Sequence, residues 1–152
     1  MVNMDQMEIK KRLARALYVF PGAIGVNNHM GSLFTADQRV MSIVLTQIKS
    51  SGQLFLDSLT TSNSLVAQLG DKLNVPVVSR DVFLDDIDKE DEIVRRLREV
   101  ERVALDKGTA IAIGHPRVTT LRVLEKWLAN LAEKKIRLAP LSAVAKTRLN
   151  RM

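Results

Sequence analysis

The chain has 152 residues, 46% of them apolar, so it can bury a real core, and a single domain over residues 1–152 is the natural expectation. The absence of cysteine excludes both a disulfide framework and a cysteine-ligated metal site. The net charge of +6 favours anionic partners, but the basic residues are spread over helix faces without a nucleic-acid motif, so we expect no nucleic-acid partner.

The N-terminal segment is predicted to form an amphipathic helix over residues 7–20. Its apolar residues recur at helical spacing, and Pro21-Gly22 ends the pattern. Lysine and arginine residues interrupt the apolar positions, so we expect no secretory signal peptide in this chain. No apolar run reaches the ~18 residues that a membrane span needs, so we also expect no membrane-spanning segment.

A polar turn follows within residues 25–37, GVNNHMGSLFTAD. Residues 23–26 are small or β-branched, which favours a buried strand, and Asn27, Asn28 and His29 come where that strand runs out. Hydrogen-bonding side chains at the carboxyl end of a strand are typical of ligand sites in parallel α/β folds. The alternative is that the asparagines only satisfy turn backbone groups and that His29 is a satisfied core histidine.

The rest of the chain alternates helices with strands. Thr35 stands three residues before Gln38, a capping-box spacing that predicts the start of a helix. Helices are predicted at residues 40–48, 65–70, 88–107, 121–131 and after 140, and strands at 53–56, 75–78, 110–113 and 136–139. Trp127 keeps the apolar spacing of its helix, which favours a core position over a sugar-stacking platform. This alternation predicts an α/β fold with a mostly parallel sheet.

Polar residues also follow the other predicted strands. The successive strand ends carry Asn28-His29, Asp57-Ser58, Arg80-Asp81, Gly114-His115 and Ser142. Right-handed crossovers place the carboxyl ends of parallel strands at one edge of a sheet. The residues that we expect to line one shared cleft there are Asn28, His29, Asp57, Arg80, Asp81 and His115. At least one histidine should be hydrogen-bonded to a carboxylate or a backbone carbonyl. The alternative is that they are unrelated turn residues, each satisfied within its own loop.

A short acidic cluster lies at the start of the longest predicted helix, within residues 85–92. Its members are Asp85, Asp86, Asp88, Asp91 and Glu92. The cluster lacks the spacing and the glycine of a calcium-binding EF-hand loop. We interpret it as the acidic residues that a helix N-terminus favours.

Four motifs together resemble the divergent polysaccharide deacetylases, relatives of the NodB-type carbohydrate esterases. They are GVNNHMGS at 25–32, FLDS at 55–58, RDVFLD at 80–85 and AIAIGHP at 110–116. The motifs occur in family order, and the resemblance extends from about Met7 to Leu141. It implies a partial or distorted (β/α) barrel in which a metal-activated water removes an acetyl group from a glycan. It also implies a bacterial protein of the cell envelope or periplasm.

The resemblance implies roles for particular residues. His29 and His115 become candidate metal ligands, with zinc as the implied cofactor, or oxyanion-stabilising residues. Asp57 and Asp81 would orient the histidines, and Arg80 would hold a carboxylate or a developing negative charge. All five are the catalytic candidates. The substrate-binding candidates are Asn27, Asn28, Ser32 and Ser58.

The chain also departs from the family pattern. The strands and the paired-aspartate motif that the family carries before the position of Met1 are missing, and the family usually has arginine where Leu33 and Leu59 stand. It often has asparagine at the position of Asp86. The main hypothesis is therefore a deacetylase-like domain that the truncation could leave inactive. The alternatives are a non-catalytic glycan-binding or interaction module, and a truncated reading frame without an independent role.

The length also leads to an expectation about assembly. A complete barrel of this general kind takes roughly 250 residues, so the sheet should be left open, with unpaired strand edges. We expect self-association, or docking onto the missing segment, through a strand at residues 23–28 or 136–139.

Overall fold

The computed structural model describes residues 2–150 and forms two compact units, Met1–Ser79 and Arg80–Met152. In both units the strands are parallel and are connected through helices, which confirms the predicted α/β class. The expectation of one domain over the whole chain stays a prediction. None of the helices in the described part is both long enough and apolar enough to span a membrane.

The first unit is a three-stranded sheet with helices packed against it. Its elements are α1 (Gln6–Val19), β1 (Gly25–Asn27), α2 (Ser32–Thr35), α3 (Gln38–Ser50), β2 (Leu54–Asp57), α4 (Val66–Leu73) and β3 (Val77–Ser79). The strands lie in the order β1-β2-β3, so β1 is at one edge. The buried side chains of α3, among them Met41 and Leu45, form the centre of the core together with Ile9, Phe55 and Val66.

The second unit is built on a pair of parallel strands. Its elements are β4 (Val82–Phe83), α5 (Glu90–Lys107), β5 (Ala112–Ile113), α6 (Val118–Ala129), a 3₁₀ turn (Ala132–Lys134) and α7 (Leu141–Leu149). Val82 pairs with Ala112 and Phe83 with Ile113. The core beneath the strands contains Ile93 and Leu97 of α5 and Val123 of α6, in line with the predicted apolar spacing of α5.

Trp127 of α6 packs against this core and donates its indole N–H to Glu101 Oε1 at 2.6 Å. The core position predicted for this residue is confirmed. The same carboxylate accepts a hydrogen bond from Lys134 Nζ at 2.6 Å. Burial raises the pKa of Glu101, but these hydrogen bonds outweigh it and hold the pKa below its ordinary value. The carboxylate thereby links α5 to α6 and to the 3₁₀ turn.

The predicted start of α3 was wrong. The capping residue of α3 is Asp37, whose side chain accepts a hydrogen bond from Val40 N at 2.8 Å. Thr35 instead ends the short helix α2, and its hydroxyl donates to Gly31 O at 3.4 Å. Aspartate is among the strongest N-cap residues, which explains why Asp37 and not Thr35 caps α3.

The strand predicted at residues 136–139 is also wrong, because that stretch is irregular between the 3₁₀ turn and α7. A strand that the sequence analysis missed lies instead at β4, directly after Arg80-Asp81. The described strands form one three-stranded and one two-stranded parallel sheet and do not form a closed barrel.

Candidate functional site

The parallel pairing of β4 and β5 brings Asp85 and His115 together. The pairing continues past the strands, because Leu84 N donates to Ile113 O at 2.9 Å. Asp85 and His115 therefore leave the carboxyl ends of neighbouring strands side by side, as expected of ligand-binding edges in parallel sheets. The Asp85 side chain is fully buried, whereas the His115 side chain keeps 36% of its surface exposed.

Both carboxylate oxygens of Asp85 are hydrogen-bonded. Oδ1 lies 3.0 Å from His115 Nδ1, while Oδ2 accepts from His115 N at 2.8 Å and from Thr120 Oγ1 at 2.7 Å. Arg117 Nη1 donates to the main-chain oxygen of Asp85 at 2.7 Å. All of these donors come from the turn after β5 and from the start of α6, so a single segment of chain surrounds the carboxylate.

The hydrogen bonds settle the charge on Asp85. Burial alone raises the pKa of this carboxyl, because it disfavours the charged form. The Thr120 hydroxyl, the His115 amide and the His115 imidazole outweigh burial and hold the pKa of Asp85 below its ordinary value of 3.8. An ionised carboxylate only accepts hydrogen bonds, so neutral His115 carries its proton on Nδ1 and has its lone pair on Nε2.

An aromatic ring connects this pair to a cation. The ring of Phe83 meets the His115 ring edge-on, with centroids 5.5 Å apart. The Arg80 guanidinium lies 5.2 Å from the centroid of Phe83. A cation over an aromatic face is held by the quadrupole of the ring, so Phe83 fixes the positions of both neighbours. Phe83 therefore contacts both the imidazole of His115 and the guanidinium of Arg80.

Asp81 lies at the amino end of β4 and contacts other partners. Its Oδ2 accepts from Ile111 N at 2.7 Å and from Arg148 Nη2, and Lys107 Nζ lies 3.9 Å from Oδ1. Arg148 also donates through Nε to Thr109 Oγ1 at 3.1 Å. Asp81 therefore ties α7 to the strand pair. The carboxylate that contacts His115 is Asp85, whereas Asp81, which the resemblance had implied as an orienting residue, contacts Ile111 and Arg148. The orienting role implied for Asp57 stays a prediction.

In the first unit, the loops after β1 and β2 are joined by side-chain hydrogen bonds. Buried Asn28 accepts at Oδ1 from Ser58 N at 2.9 Å, and Asn27 Nδ2 lies 3.3 Å from Ser58 Oγ. Ser32 Oγ donates to Thr60 O at 3.0 Å. The strand ends are therefore adjacent as predicted, and the three substrate-binding candidates Asn27, Asn28 and Ser58 lie together.

Asp57 is also buried, at 1% exposure, and its carboxylate is used within its own loop. Oδ1 accepts from Leu59 N at 2.9 Å and Oδ2 from Ser64 Oγ at 2.6 Å. Both loops contain a left-handed residue other than glycine, Met30 with φ 56° and Leu59 with φ 46°. Strained backbone of this kind is concentrated at functional sites, and it is held here by the hydrogen bonds between the loops. His29 is exposed next to Met30.

The zinc site that the family resemblance implies stays a prediction. A catalytic zinc usually takes three protein ligands, and residues 2–150 contain no group of three histidine or carboxylate side chains that could hold a metal ion. His29 and His115 belong to different units. Their joint role as metal ligands therefore stays a prediction. The expected cleft shared by both units also stays a prediction.

Sequence reasoning missed Asp85, Thr120 and Phe83. Asp85 was assigned to the acidic start of α5, but it lies before Glu90, where that helix begins. The signal that could have found it is the apolar run Val82 to Leu84, which is typical of a short strand that ends at Asp85. The expectation that at least one histidine contacts a carboxylate is confirmed at His115.

Similar proteins cover nearly the whole chain. An uncharacterised protein of Haemophilus influenzae is 36% identical over 132 residues, which are 87% of this chain and 47% of that protein. The uncharacterised protein YibQ of Escherichia coli is 36% identical over 129 residues, 85% of this chain and 40% of that protein. The chain thus spans less than half the length of these curated relatives.

The fold has a counterpart among solved structures. The crystal structure of an uncharacterised protein from Agrobacterium tumefaciens matches with a TM-score of 0.90 and 27% identity, covering 93% of this chain and 58% of that one. The sequence model described as divergent polysaccharide deacetylase matches residues 1–145. This match extends over almost every element, including both strands of the Asp85–His115 site. The chain therefore belongs to the divergent polysaccharide deacetylase family.

Proposed function

We propose that this chain carries the proton-transfer site of a hydrolase that removes acetyl groups from a glycan. The observation that supports the proposal is the contact of His115 with a buried, ionised Asp85, which orients the imidazole and keeps its lone pair on Nε2. Family membership supports the substrate class. A histidine held in one tautomer by a carboxylate is a common general base and acid in hydrolysis.

The proposed reaction uses one imidazole in both steps. Neutral His115 accepts a proton from water at Nε2 as the water oxygen bonds to the acetyl carbonyl carbon. The imidazolium then returns that proton to the departing nitrogen or oxygen of the sugar as its bond to the acetyl carbon breaks. The products are acetate and the free amine or hydroxyl. Asp85 stabilises the imidazolium through Nδ1, and Arg80 adds positive charge beside the developing oxyanion.

The family resemblance implies a divalent metal as well. Because the described residues offer no set of three ligands, none of these proton transfers is assigned to a metal-bound group. The alternative is a non-catalytic glycan-binding module, which the lack of a three-ligand set in residues 2–150 favours. One experiment separates the two functions.

The experiment is a titration of the ¹⁵N-labelled chain with chito-oligosaccharides, followed by NMR. We expect N-acetylated oligomers to shift the His115 side-chain resonances together with the amides of Phe83 and Arg80. Fully deacetylated oligomers of equal length should shift them much less, because a proton-transfer site faces the acetyl group. Equal shifts with both oligomers would favour the binding module. Shifts confined to residues far from His115 would contradict both functions at this site.

A further inference from the structure

A cleft lies between α5 and α6 in the second unit. Its volume is about 260 Å³, and its apolar lining consists of Val94, Leu97, Val123 and Trp127. Leu97 and Val123 belong to the core of the unit, whereas Val94 is 39% exposed. The cleft therefore extends from the surface down to core side chains. An apolar cleft with a few charged groups at its edge is typical of a site for a small molecule.

Hydrogen bonds hold the walls of the cleft in place. Glu101 Oε1 accepts from the indole N–H of Trp127 on α6 and from Lys134 Nζ on the 3₁₀ turn, both at 2.6 Å. The first of these bonds uses the only N–H of the indole, so the ring offers apolar surface to the cleft. All three residues line the cleft. Its walls are therefore already ordered, which lowers the cost of binding a ligand.

The charges at the edge of the cleft favour an anion. Of the two acids that line it, Glu90 is paired with Arg122 at 3.0 Å, and Glu101 is already hydrogen-bonded. Arg98 of α5 and Lys126 of α6 also line the cleft, and both are exposed. Neither of them forms an ion pair within the described part of the chain. One positive charge from each helix is therefore placed to attract a negatively charged group.

We propose that the cleft binds a small carboxylate with an apolar chain, of the class of medium-chain fatty acids. The carboxylate would accept hydrogen bonds from Arg98 and Lys126, and the chain would lie against Leu97, Val123 and Trp127. A volume of about 260 Å³ equals that of roughly nine molecules of liquid water, which suits an octanoate ion of about ten non-hydrogen atoms.

Other classes of small ligand fit this cleft less well. A glycan needs many hydrogen-bonding partners, but the lining is apolar apart from its charged edge, and the N–H of Trp127 is already used. A cation would be repelled by Arg98 and Lys126. The inference goes beyond the proposed function and does not depend on it, because it involves neither Asp85 nor His115.

The test is an NMR titration of the ¹⁵N-labelled chain with sodium octanoate. Trp127 is the only tryptophan of the chain, so its indole N–H gives a single resonance that reports on the cleft. We expect this resonance to shift in a saturable way, with a Kd of about 1 mM or lower. Octanol has the same chain length without the charge, and it should bind at least about tenfold more weakly.

A double variant tests the two cations at the edge of the cleft. Both side chains are exposed, so Arg98→Gln/Lys126→Gln should fold, and it should bind octanoate at least about tenfold more weakly than the unsubstituted chain. The matched control is Arg95→Gln/Arg102→Gln. It lowers the net charge by the same amount at exposed positions of α5 that do not line the cleft, so its affinity should be unchanged.

Three results would overturn the proposal. They are the absence of a saturable shift with octanoate, equally tight binding of octanol, and equal affinities of the double variant and its control. A fourth experiment uses an acidic peptide that contains one leucine and has both ends blocked. If this peptide binds the cleft more tightly than octanoate does, the proposal is overturned in favour of a protein partner.

Discussion

Asp85 combines three functions in one buried side chain. It fixes the tautomer of His115, it satisfies the His115 amide, and it accepts the hydroxyl hydrogen of Thr120. A buried carboxylate is costly unless its oxygens are hydrogen-bonded, so each of these donors also stabilises the charge. The half-exposed imidazole is consequently presented by a rigid support, which is the arrangement that proton transfer needs.

Replacing Asp85 by asparagine should switch the tautomer of His115. The backbone N–H of His115 is an obligate donor, so the amide oxygen of the introduced side chain should take the Oδ2 position. The amide NH₂ then faces Nδ1, which must accept, and the neutral imidazole moves its proton to Nε2. Side-chain ¹⁵N chemical shifts of His115 distinguish the two tautomers directly. An unchanged Nδ1–H tautomer in Asp85→Asn would contradict the hydrogen-bond assignment.

The lowered pKa of Asp85 also predicts how stability depends on pH. The unfolded chain binds a proton at this carboxyl near pH 3.8, whereas the folded chain binds it only at lower pH. The stabilising contribution is therefore complete above pH 3.8 and is lost as the pH falls through the folded pKa. Urea denaturation should show Asp85→Asn less stable by about 2 kcal/mol at neutral pH. The difference in the free energy of unfolding between the two chains should become smaller below pH 3.8. A difference that does not change with pH would contradict the lowered pKa of Asp85.

At the scale of single residues, the sequence was sufficient to select His115 but not its partner. His115 follows the clearest apolar strand, so its place at a strand end could be predicted directly. Asp85 stands among other acids, and only the two-residue strand β4 distinguishes it from them. Pairing across 30 residues of sequence is not encoded in any local pattern, and so neither Asp85 nor Thr120 could be assigned as the partner.

Among the elements, α4 shows how packing overrides local propensity. The helix was predicted to end at Gly70, but it continues to Leu73 and is capped by left-handed Asn74. Gly70 lies inside the helix at the point where β3 passes close to it. A Cβ at this position would stand 2.5 Å from Val77 Cγ2, so the close approach requires glycine. The glycine marks a close approach between a helix and a strand, and not the end of the helix.

Gly70→Ala should therefore destabilise the chain. Alanine gains about 1 kcal/mol of helix propensity over glycine, but the added methyl forces Val77 or the helix to shift, which costs about 1–3 kcal/mol. Chemical denaturation measures the net change. The double variant Gly70→Ala/Val77→Ala is the control, because it restores the space and should be more stable than the two single changes predict together. Additive effects would show that the contact with Val77 is not responsible.

Considering the whole molecule, periodicity predicted most of the α/β alternation because strands and buried helix faces differ in their apolar spacing. It failed for residues 136–139, an apolar stretch without a neighbouring strand, and for β4, which is too short to show alternation. The arrangement of the two units cannot be inferred from local patterns. Whether the polar residues of both units form one cleft accordingly stays a prediction.

The side chains that could bind a metal ion lead to a prediction for the chain as a whole. With no group of three ligands in residues 2–150, the isolated chain should bind zinc weakly or not at all. Equilibrium dialysis against Zn²⁺ at neutral pH tests this, with His115→Gln as the matched variant. Stoichiometric, tight zinc binding that His29→Ala or His115→Gln abolishes would show that the two histidines form a metal site together.

The central claim is that His115, oriented by Asp85, transfers protons during hydrolysis of an acetyl group. The most direct measurement is the rate at which the isolated chain hydrolyses an activated acetyl ester, p-nitrophenyl acetate, above the buffer background. We predict a loss of at least about tenfold in His115→Gln, within the range that general base catalysis contributes, and a smaller loss in Asp85→Asn. Arg122→Gln, an exposed change on α6, should leave the rate unchanged. An undiminished rate in His115→Gln would contradict the account.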